Sequence, residues 1–368
     1  MNSTSVRRIA LPGIAALVLG LSLSACGAGN ESSSDDSSSG GGSLSGTLNG
    51  AGSSAQQAAQ AAWTADFQKA NSGVTINYNP IGSGGGVTQF NSGGVDFAGS
   101  DKALDASAGE IDAANKRCGA DAIEVPDYIS PIAIVFNVPG VKSLNLDPDT
   151  AAKMFAGKIT KWNDPEIKGE NPGAKLPDLA IAPVHRSDPS GTTNNFTDYL
   201  SKAAKDVWTW PAAEDWPIKS GEGASGTSGM VDAVTKGKGA LAYIDNSQVG
   251  NLSVASIKVG SKYVAPSADG ASKALSVSKP QTGRPASDIA IDIDRTTTAD
   301  GAYPIALTSY LIACPTYSGD KADLVKQYLS YVVSTEGQQS AATAAGSAPL
   351  PDNLQQQAAQ LIDGITKS

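Results

Sequence analysis

Three short stretches of glycine and hydroxyl residues stand out among the residues able to do chemistry: Gly50-Ala51-Gly52-Ser53-Ser54, Gly82-Ser83-Gly84-Gly85-Gly86 and Ser190-Gly191-Thr192. They sit at junctions between strand-like runs and helices or loops. The first N–H groups of a helix lack an intrahelical acceptor and carry partial positive charge, so such junctions hold anions without needing many cations. Taken singly, each stretch is more often a turn. None is a Walker A loop: no Gly-Lys-Ser/Thr follows, and Lys236-Gly237-Lys238-Gly239 precedes a strand instead of a helix. Charged neighbours sharpen the picture. Ser100-Asp101 follows VDFAG directly, and Arg186-Ser187-Asp188-Pro189 runs straight into Ser190. An arginine with a carboxylate partner, beside helix-end donors, suits bidentate capture of an oxyanion. Asp101 taken singly reads as a loop carboxylate facing solvent or capping a helix.

Positioning these groups requires alternating elements. The runs LSGTLN, VTINY, VDFAG, ISPIAIVFNV, IAPVH and ALAYI read as strands and alternate with helical patterns, which argues for an α/β architecture. Ala59, Ala62, Trp63, Phe67 and Ala70 recur at helical spacing, so a helix begins right after GAGSS, where Ser53 and Ser54 offer cap hydroxyls. A second helix is expected from about Ser190, with Phe196, Tyr199 and Leu200 on one side, and a third follows SGTSG at Met230. Residues 265–290 read as a loose segment. His185 is expected at a strand end, Trp162 as the residue that packs a surface loop, and Trp208, Trp210 and Trp216 in core or surface packing. The Gly-rich stretch 220–229 has no assigned contact.

Composition narrows the function classes. The chain has 368 residues, enough for two domains, and its 40% hydrophobic and 17% charged content is that of a globular protein. Its net charge is −9, and Arg7 and Arg8 fall in the leader, so the remainder is more acidic still. That argues against nonspecific nucleic-acid binding, which rests on cations at phosphates. One His and three Cys make a protein-built zinc site a poor fit and exclude chemistry needing several histidines.

The amino terminus reads as an address. Arg7 and Arg8 precede an apolar run over 9–23 that is too short, and too broken by Pro12 and Gly13, for a comfortable membrane span. Leu23-Ser24-Ala25-Cys26 resembles a bacterial lipobox, which makes 1–25 a signal peptide and Cys26 the lipidated residue; an ordinary cleaved signal with an incidental Cys is the alternative. Residues 26–43, without a bulky apolar side chain, form a tether reaching about 20–25 Å. Export places Cys118 and Cys314 where disulfides are tolerated, so the two read as one bridge or as two buried free thiols.

GAGSS, IGSGGGVTQF, VDFAGSD, GKITKWNDP and HRSDPSGTTNNFTDYL, in that order and with PLP near the end, resemble the periplasmic or surface phosphate-binding proteins of bacterial phosphate ABC transporters. The likeness runs from about Leu44 to the carboxyl end, and with the lipobox it is similar to the lipid-anchored version. It implies an α/β, two-lobed periplasmic-binding-protein (type II) fold with a two-strand hinge and one dehydrated phosphate in the interlobe cleft. Carried over by position, Ser54, the amide of Ala55, Ser83, Asp101, Arg186, Ser190, Gly191 and Thr192 bind phosphate, and Asp188 holds the arginine. Ser54 and Ala55 replace the threonine and phenylalanine of the best-known pattern yet keep its hydroxyl and amide. His185 replaces a second arginine.

The resemblance further implies no cofactor, no enzymatic activity, and delivery by a monomer to membrane permease subunits of a phosphate ABC transporter. Lobe I is expected over 44–129 plus 304–368 and lobe II over 130–303, with crossings near 129–131 and 303–304. Two other functions are weighed: a phosphate-ester hydrolase, for which His185 is the only histidine base, and a receptor for another tetrahedral oxyanion such as sulfate, against which Asp101 argues.

Overall fold

The computed structural model describes residues 44–368; the expected signal peptide (1–25), the expected lipidated Cys26 and the expected tether (26–43) lie outside the described residues. The strands are β1 (Ser45–Gly52), β2 (Gly73–Asn79), β3 (Phe97–Ser100), β4 (Ile123–Phe136), β5 (Ser143–Leu146), β6 (Ala182–Arg186), β7 (Glu222–Ala224), β8 (Ala240–Asp245), β9 (Ser253–Val259), β10 (Lys262–Val264), β11 (Lys279–Pro280), β12 (Ile291–Asp292), β13 (Ala306–Ala313), β14 (Thr316–Tyr317) and β15 (Thr366–Lys367). The α-helices are α1 (Gln57–Ala70), α2 (Ser83–Asn91), α3 (Glu110–Cys118), α4 (Pro148–Phe155), α5 (Pro165–Glu170), α6 (Gly191–Ala203), α7 (Gly226–Lys236), α8 (Ala268–Ser276), α9 (Lys321–Val333), α10 (Thr335–Ala345) and α11 (Asp352–Asp363). The α/β class expected from the alternation is what folds.

One sheet runs β2-β1-β3-β13-β4-β8-β6-β7, with β9 also on β4 and with β5 and β10 beside β9. Its organiser is β4, whose 14 residues are all buried, as a near-continuous apolar run predicts for a strand covered on both faces. Residues 123–131 of β4 pair antiparallel with β13, and 132–136 pair with β8. Pro131 stands at the change of partner, where a residue without an N–H interrupts a ladder least. The first half of the sheet is thus β2, β1, β3 and β13. The second is β8, β6, β7 and the β9 branch. In each half, parallel strands (β1 with β2 and β3; β6 with β7 and β8) direct their carboxyl ends toward helix starts.

Each half has its own aromatic packing. In the first, α1 turns Trp63 and Phe67 inward; the Trp63 indole donates to the Gly337 carbonyl (2.7 Å), and Phe67 meets Tyr328 edge-on at 5.3 Å. In the second, Phe196 of α6 stacks on Tyr243 (4.4 Å), which also meets Trp216 (5.6 Å), beside the buried Trp208. Trp162, in the turn after α4, packs its loop as expected: it is fully buried, lies on Phe136 and donates to the Gly239 carbonyl (3.0 Å). The expected loose segment is corrected. Ser267 caps α8 by accepting from the Gly270 N–H (3.0 Å), and residues 281–291 are fastened to β4. Glu124 N donates to the Ser287 carbonyl, Ile289 N donates to the Glu124 carbonyl, and Arg284 lies between Glu124 (2.5 Å) and Asp288 (2.6 Å). A partner 160 residues away leaves no local trace.

Cys118, ending α3, and Cys314, just past β13, form a disulfide with Cα atoms 5.2 Å apart, so the bridge and not the free-thiol alternative is realised. It closes a sequence separation of 196 residues. For so long a loop the chain-entropy model gives about 5 kcal/mol, which native-state effects usually reduce. A Cys118→Ser/Cys314→Ser protein should lose about 2–5 kcal/mol in urea unfolding; an unchanged midpoint would show that the bridge contributes nothing to stability.

Candidate functional site: a buried carboxylate among helix starts

Four helix N-termini converge where the two halves of the sheet face each other. The first forms after β1, where Gly52 takes a φ of +144° and a Cβ would strike the Gly99 carbonyl, so only glycine lets the chain turn there. Ser53 then accepts from the N–H groups of Ala55 (3.1 Å) and Gln56 (3.2 Å), which opens α1. The second is α2, which starts at Ser83 directly after Gly82 (φ +93°), so the second Gly-rich stretch is itself a helix start. The third is α6, capped by Ser190, whose hydroxyl accepts from Thr193 N (3.2 Å). The fourth is α7, which begins at Gly226, four residues before Met230. SGTSG is thus the start of that helix and not the loop before it, a correction that a run of Gly and Ser conceals because it has the composition of a turn.

Asp101, immediately after β3, is the common partner. Its N–H donates to the Ser83 hydroxyl (3.1 Å), its Oδ1 accepts from the Ser53 and Ser309 hydroxyls, and its Oδ2 accepts from the Thr192 hydroxyl (3.0 Å). Burial pushes its pKa above the ordinary carboxylate range, against the hydrogen bonds from Ser309, Ser53 and Thr192 and the charge of Arg186, which favour the ionised form. A carboxylate has about four lone-pair sites. Three hydroxyls leave room for one more donor, on Oδ2.

Arg186, at the end of β6, is 4% exposed. Its Nε (2.7 Å) and Nη2 both donate to Asp188, which also accepts from the Gly226 N–H (3.0 Å). Burial alone would raise the Asp188 pKa, but Arg186 and the Gly226 N–H outweigh it and hold the carboxyl below its usual range. Arg186 is therefore fixed in orientation and largely neutralised. Among the described residues its Nη1 makes no hydrogen bond, and that atom is left for a further partner.

The halves meet through other residues. Ser54 lies 2.9 Å from the Thr227 hydroxyl and accepts from Thr227 N (3.1 Å), while Gln248 donates to the Ser54 carbonyl (2.9 Å). A Cβ on Gly191 would lie 2.7 Å from the Ser83 oxygen and 2.8 Å from the Asp101 Cβ, so only glycine allows α6 to come this close. Ser54, Ala55, Ser83, Asp101, Arg186, Ser190, Gly191 and Thr192 are all buried around one centre, and Asp188 sits on the arginine. The Ala55 amide is turned to Ser53. His185 has a structural part: its Nδ1 lies 2.9 Å from the Arg186 carbonyl oxygen, and its ring stacks on Trp216 at 5.4 Å.

Sequence reasoning treated Ser53 only as a cap, left Thr227 inside a stretch with no assigned contact, and missed Ser309 and Gln248. Ser309 stands in the middle of a buried strand, 208 residues from Asp101, with no neighbouring motif to mark it.

The PBP superfamily domain model matches residues 37–336. The phosphate-binding protein PstS2 of Mycobacterium bovis is 36% identical over 356 residues, covering 94% of this chain and 95% of that one. The phosphate-binding protein PstS 3 of Mycobacterium leprae is 36% identical over 371 residues, covering 96% and 97%. Among solved structures, a high-affinity periplasmic phosphate-binding protein (PfluDING) bound with phosphate aligns with a TM-score of 0.68 at 22% identity, over 84% of this chain and 92% of that one. The phosphate-binding protein of Stenotrophomonas maltophilia aligns with a TM-score of 0.67 at 20% identity, over 86% and 94%. The fold is thus the α/β periplasmic-binding-protein fold. With relatives this similar along nearly its whole length, the chain belongs to the PstS family of phosphate-binding proteins.

Proposed function

We propose that the protein binds one inorganic phosphate at the Asp101–Arg186 centre, outside the cytoplasmic membrane, and delivers it to the permease subunits of an ABC transporter. The observation that carries this reading is a buried carboxylate with one acceptor position left, ringed by helix starts. Dehydrating an anion demands a full set of donors. Here the hydroxyls of Ser54 and Ser83, the amides of Gly191 and Thr192, the Ser190 hydroxyl and Arg186 Nη1 supply them, while the Ala55 amide expected among them stays on the Ser53 hydroxyl (3.1 Å). The Asp101 carboxylate takes the hydrogen that phosphate carries near neutral pH and that sulfate lacks. Asp188 tempers the arginine, so the ligand can leave again.

Lobe I (44–129 plus 304–368) and lobe II (130–303) correspond in this reading to the two halves of the sheet, joined where β4 changes partner and where the chain enters β13 near 303–304. Residues 281–291 belong by number to lobe II but lie against β4 of lobe I. Closure couples ligand to docking, because a permease distinguishes the filled receptor by shape. A hydrolase would need a base beside a serine, and His185 is committed to Trp216 and the Arg186 carbonyl. Lipidation of Cys26 and the 26–43 tether hold the protein at the membrane face.

Three outcomes test these statements. Titration calorimetry of the phosphate-stripped protein should show tight binding of phosphate and arsenate and none of sulfate, and Asp101→Asn should admit sulfate by removing a discrimination of roughly 10⁴-fold; sulfate exclusion unchanged in that variant overturns the role of Asp101. Gly191→Ala should weaken phosphate binding by on the order of tenfold to a hundredfold through overpacking, with the phosphate-free melting temperature little altered; wild-type affinity would remove the close approach of α6 from the account. Radiolabelled palmitate should enter the wild type and not Cys26→Ala, and equal labelling of the two refutes the anchor.

A further inference from the structure

Behind the carboxylate lies a second polar assembly that the proposed phosphate contacts do not use. Arg295 is 4% exposed and yet fully engaged. Its Nε donates to Asp198 (2.8 Å), its Nη1 to the carbonyls of Pro304 (2.9 Å) and Ala306 (2.7 Å), and its Nη2 to Asn195 Oδ1 (2.5 Å). Asn195, one turn into α6, donates through Nδ2 to the carbonyls of Gly191 (2.9 Å) and Asp101 (2.5 Å). The first of these bonds stays within α6. The second crosses from α6, which belongs to the half of β8 and β6, to the loop after β3 in the other half.

Orientation is what makes that crossing bond work. An amide flipped by half a turn would point its oxygen at two carbonyl oxygens. A guanidinium has donors and no acceptor, so with Arg295 on its Oδ1 the amide can present only its NH₂ to Asp101. Arg295 is itself held on two sides: Asp198 belongs to α6, while Pro304 and Ala306 lie where the chain enters β13. The arginine therefore ties the helix whose start faces the ligand to the crossing segment, and it aims Asn195 at the residue that receives the ligand's hydrogen.

We propose that Asn195, oriented by Arg295, is a ligand-independent latch that holds the two halves closed over the site and sets how slowly the anion leaves. The proposal deepens the phosphate-receptor reading and rests on it for the identity of the anion, though the latch itself needs no ligand. Opening exposes the Asp101 carbonyl and the Asn195 amide to water, so the net contribution is that of one well-formed buried hydrogen bond. That corresponds to about a tenfold change in the closed-to-open ratio. Its kinetic signature is in release, because association starts from the open form, in which the bond is absent.

Asn195→Asp is the discriminating variant. It keeps the size and the Arg295 partner but turns the donor facing Asp101 into an acceptor. Release of bound phosphate, followed by stopped-flow displacement, should quicken about tenfold or more, with association within about threefold of wild type. In phosphate-free protein, the distance between spin labels at Lys69→Cys and Lys236→Cys should shift toward longer values in the variant. The rise in melting temperature that phosphate confers should shrink. Unchanged release together with an unchanged label distance overturns the latch. A lowered phosphate-free melting temperature with neither kinetic nor distance change reduces Asn195 to a packing residue and overturns it equally. Arg295→Lys, which keeps the charge and loses the fork, should also quicken release; wild-type release in that variant overturns the orienting role. Should the wild type bind no phosphate, the receptor reading falls, and the label distance in the ligand-free protein still decides the latch.

Discussion

Everything in this molecule converges on the placement of one carboxylate where water does not reach. A buried anion is unfavourable unless its oxygens are hydrogen-bonded. Asp101 meets that requirement with hydroxyls from three elements: Ser53 before α1, Ser309 in β13 and Thr192 at the start of α6. Only two of the three come from the half of the sheet that carries Asp101. The carboxylate is thus both the acceptor of the site and a tie between the halves. A chain that is acidic overall builds an anion site in this way chiefly from neutral donors and helix-end dipoles, with one arginine whose charge is offset by Asp188.

The same constraint explains the glycines around the centre. Helix starts can crowd a small anion only if nothing projects from the backbone between them. Gly82 faces Asp188 and Pro189, and Gly191 faces Ser83 and Asp101, at distances a Cβ would violate. At Gly191 close approach is the reason for glycine, and at Gly82 it adds to a φ of +93°. The sheet supplies the rest. Parallel strands end at the cleft on both sides, and one buried strand, β4, serves both halves by changing partner at Pro131. Sites at the carboxyl ends of parallel strands follow from that geometry.

Beneath the site, Arg295 and Asn195 form a polar layer that continues the logic of the carboxylate. The nitrogens of both side chains have defined acceptors, and three of these, the carbonyls of Pro304, Ala306 and Asp101, lie where the two halves join. Such networks act as a unit, because a buried polar group left without its partner is costly.

Local chemistry was legible from the amino acids in order. The continuous apolar run of β4, the helical spacing of Trp63 and Phe67, the helix start at Ser190 and the closeness of Arg186 and Asp188 in the chain all depend on neighbours in the chain or on residue type. Helix-start donors are a property of any backbone at such a position, so three Gly and hydroxyl stretches already announced an anion site. Which groups meet across the cleft was settled only by tertiary structure. Ser309 joins Asp101 from 208 positions away, Thr227 meets Ser54 across 173, and Asn195 reaches the Asp101 carbonyl across 94. Those meetings follow from the order of strands in the sheet and the register of β13 on β4. Strand order and register arise from packing the whole apolar interior at once, and no short stretch of residues encodes them.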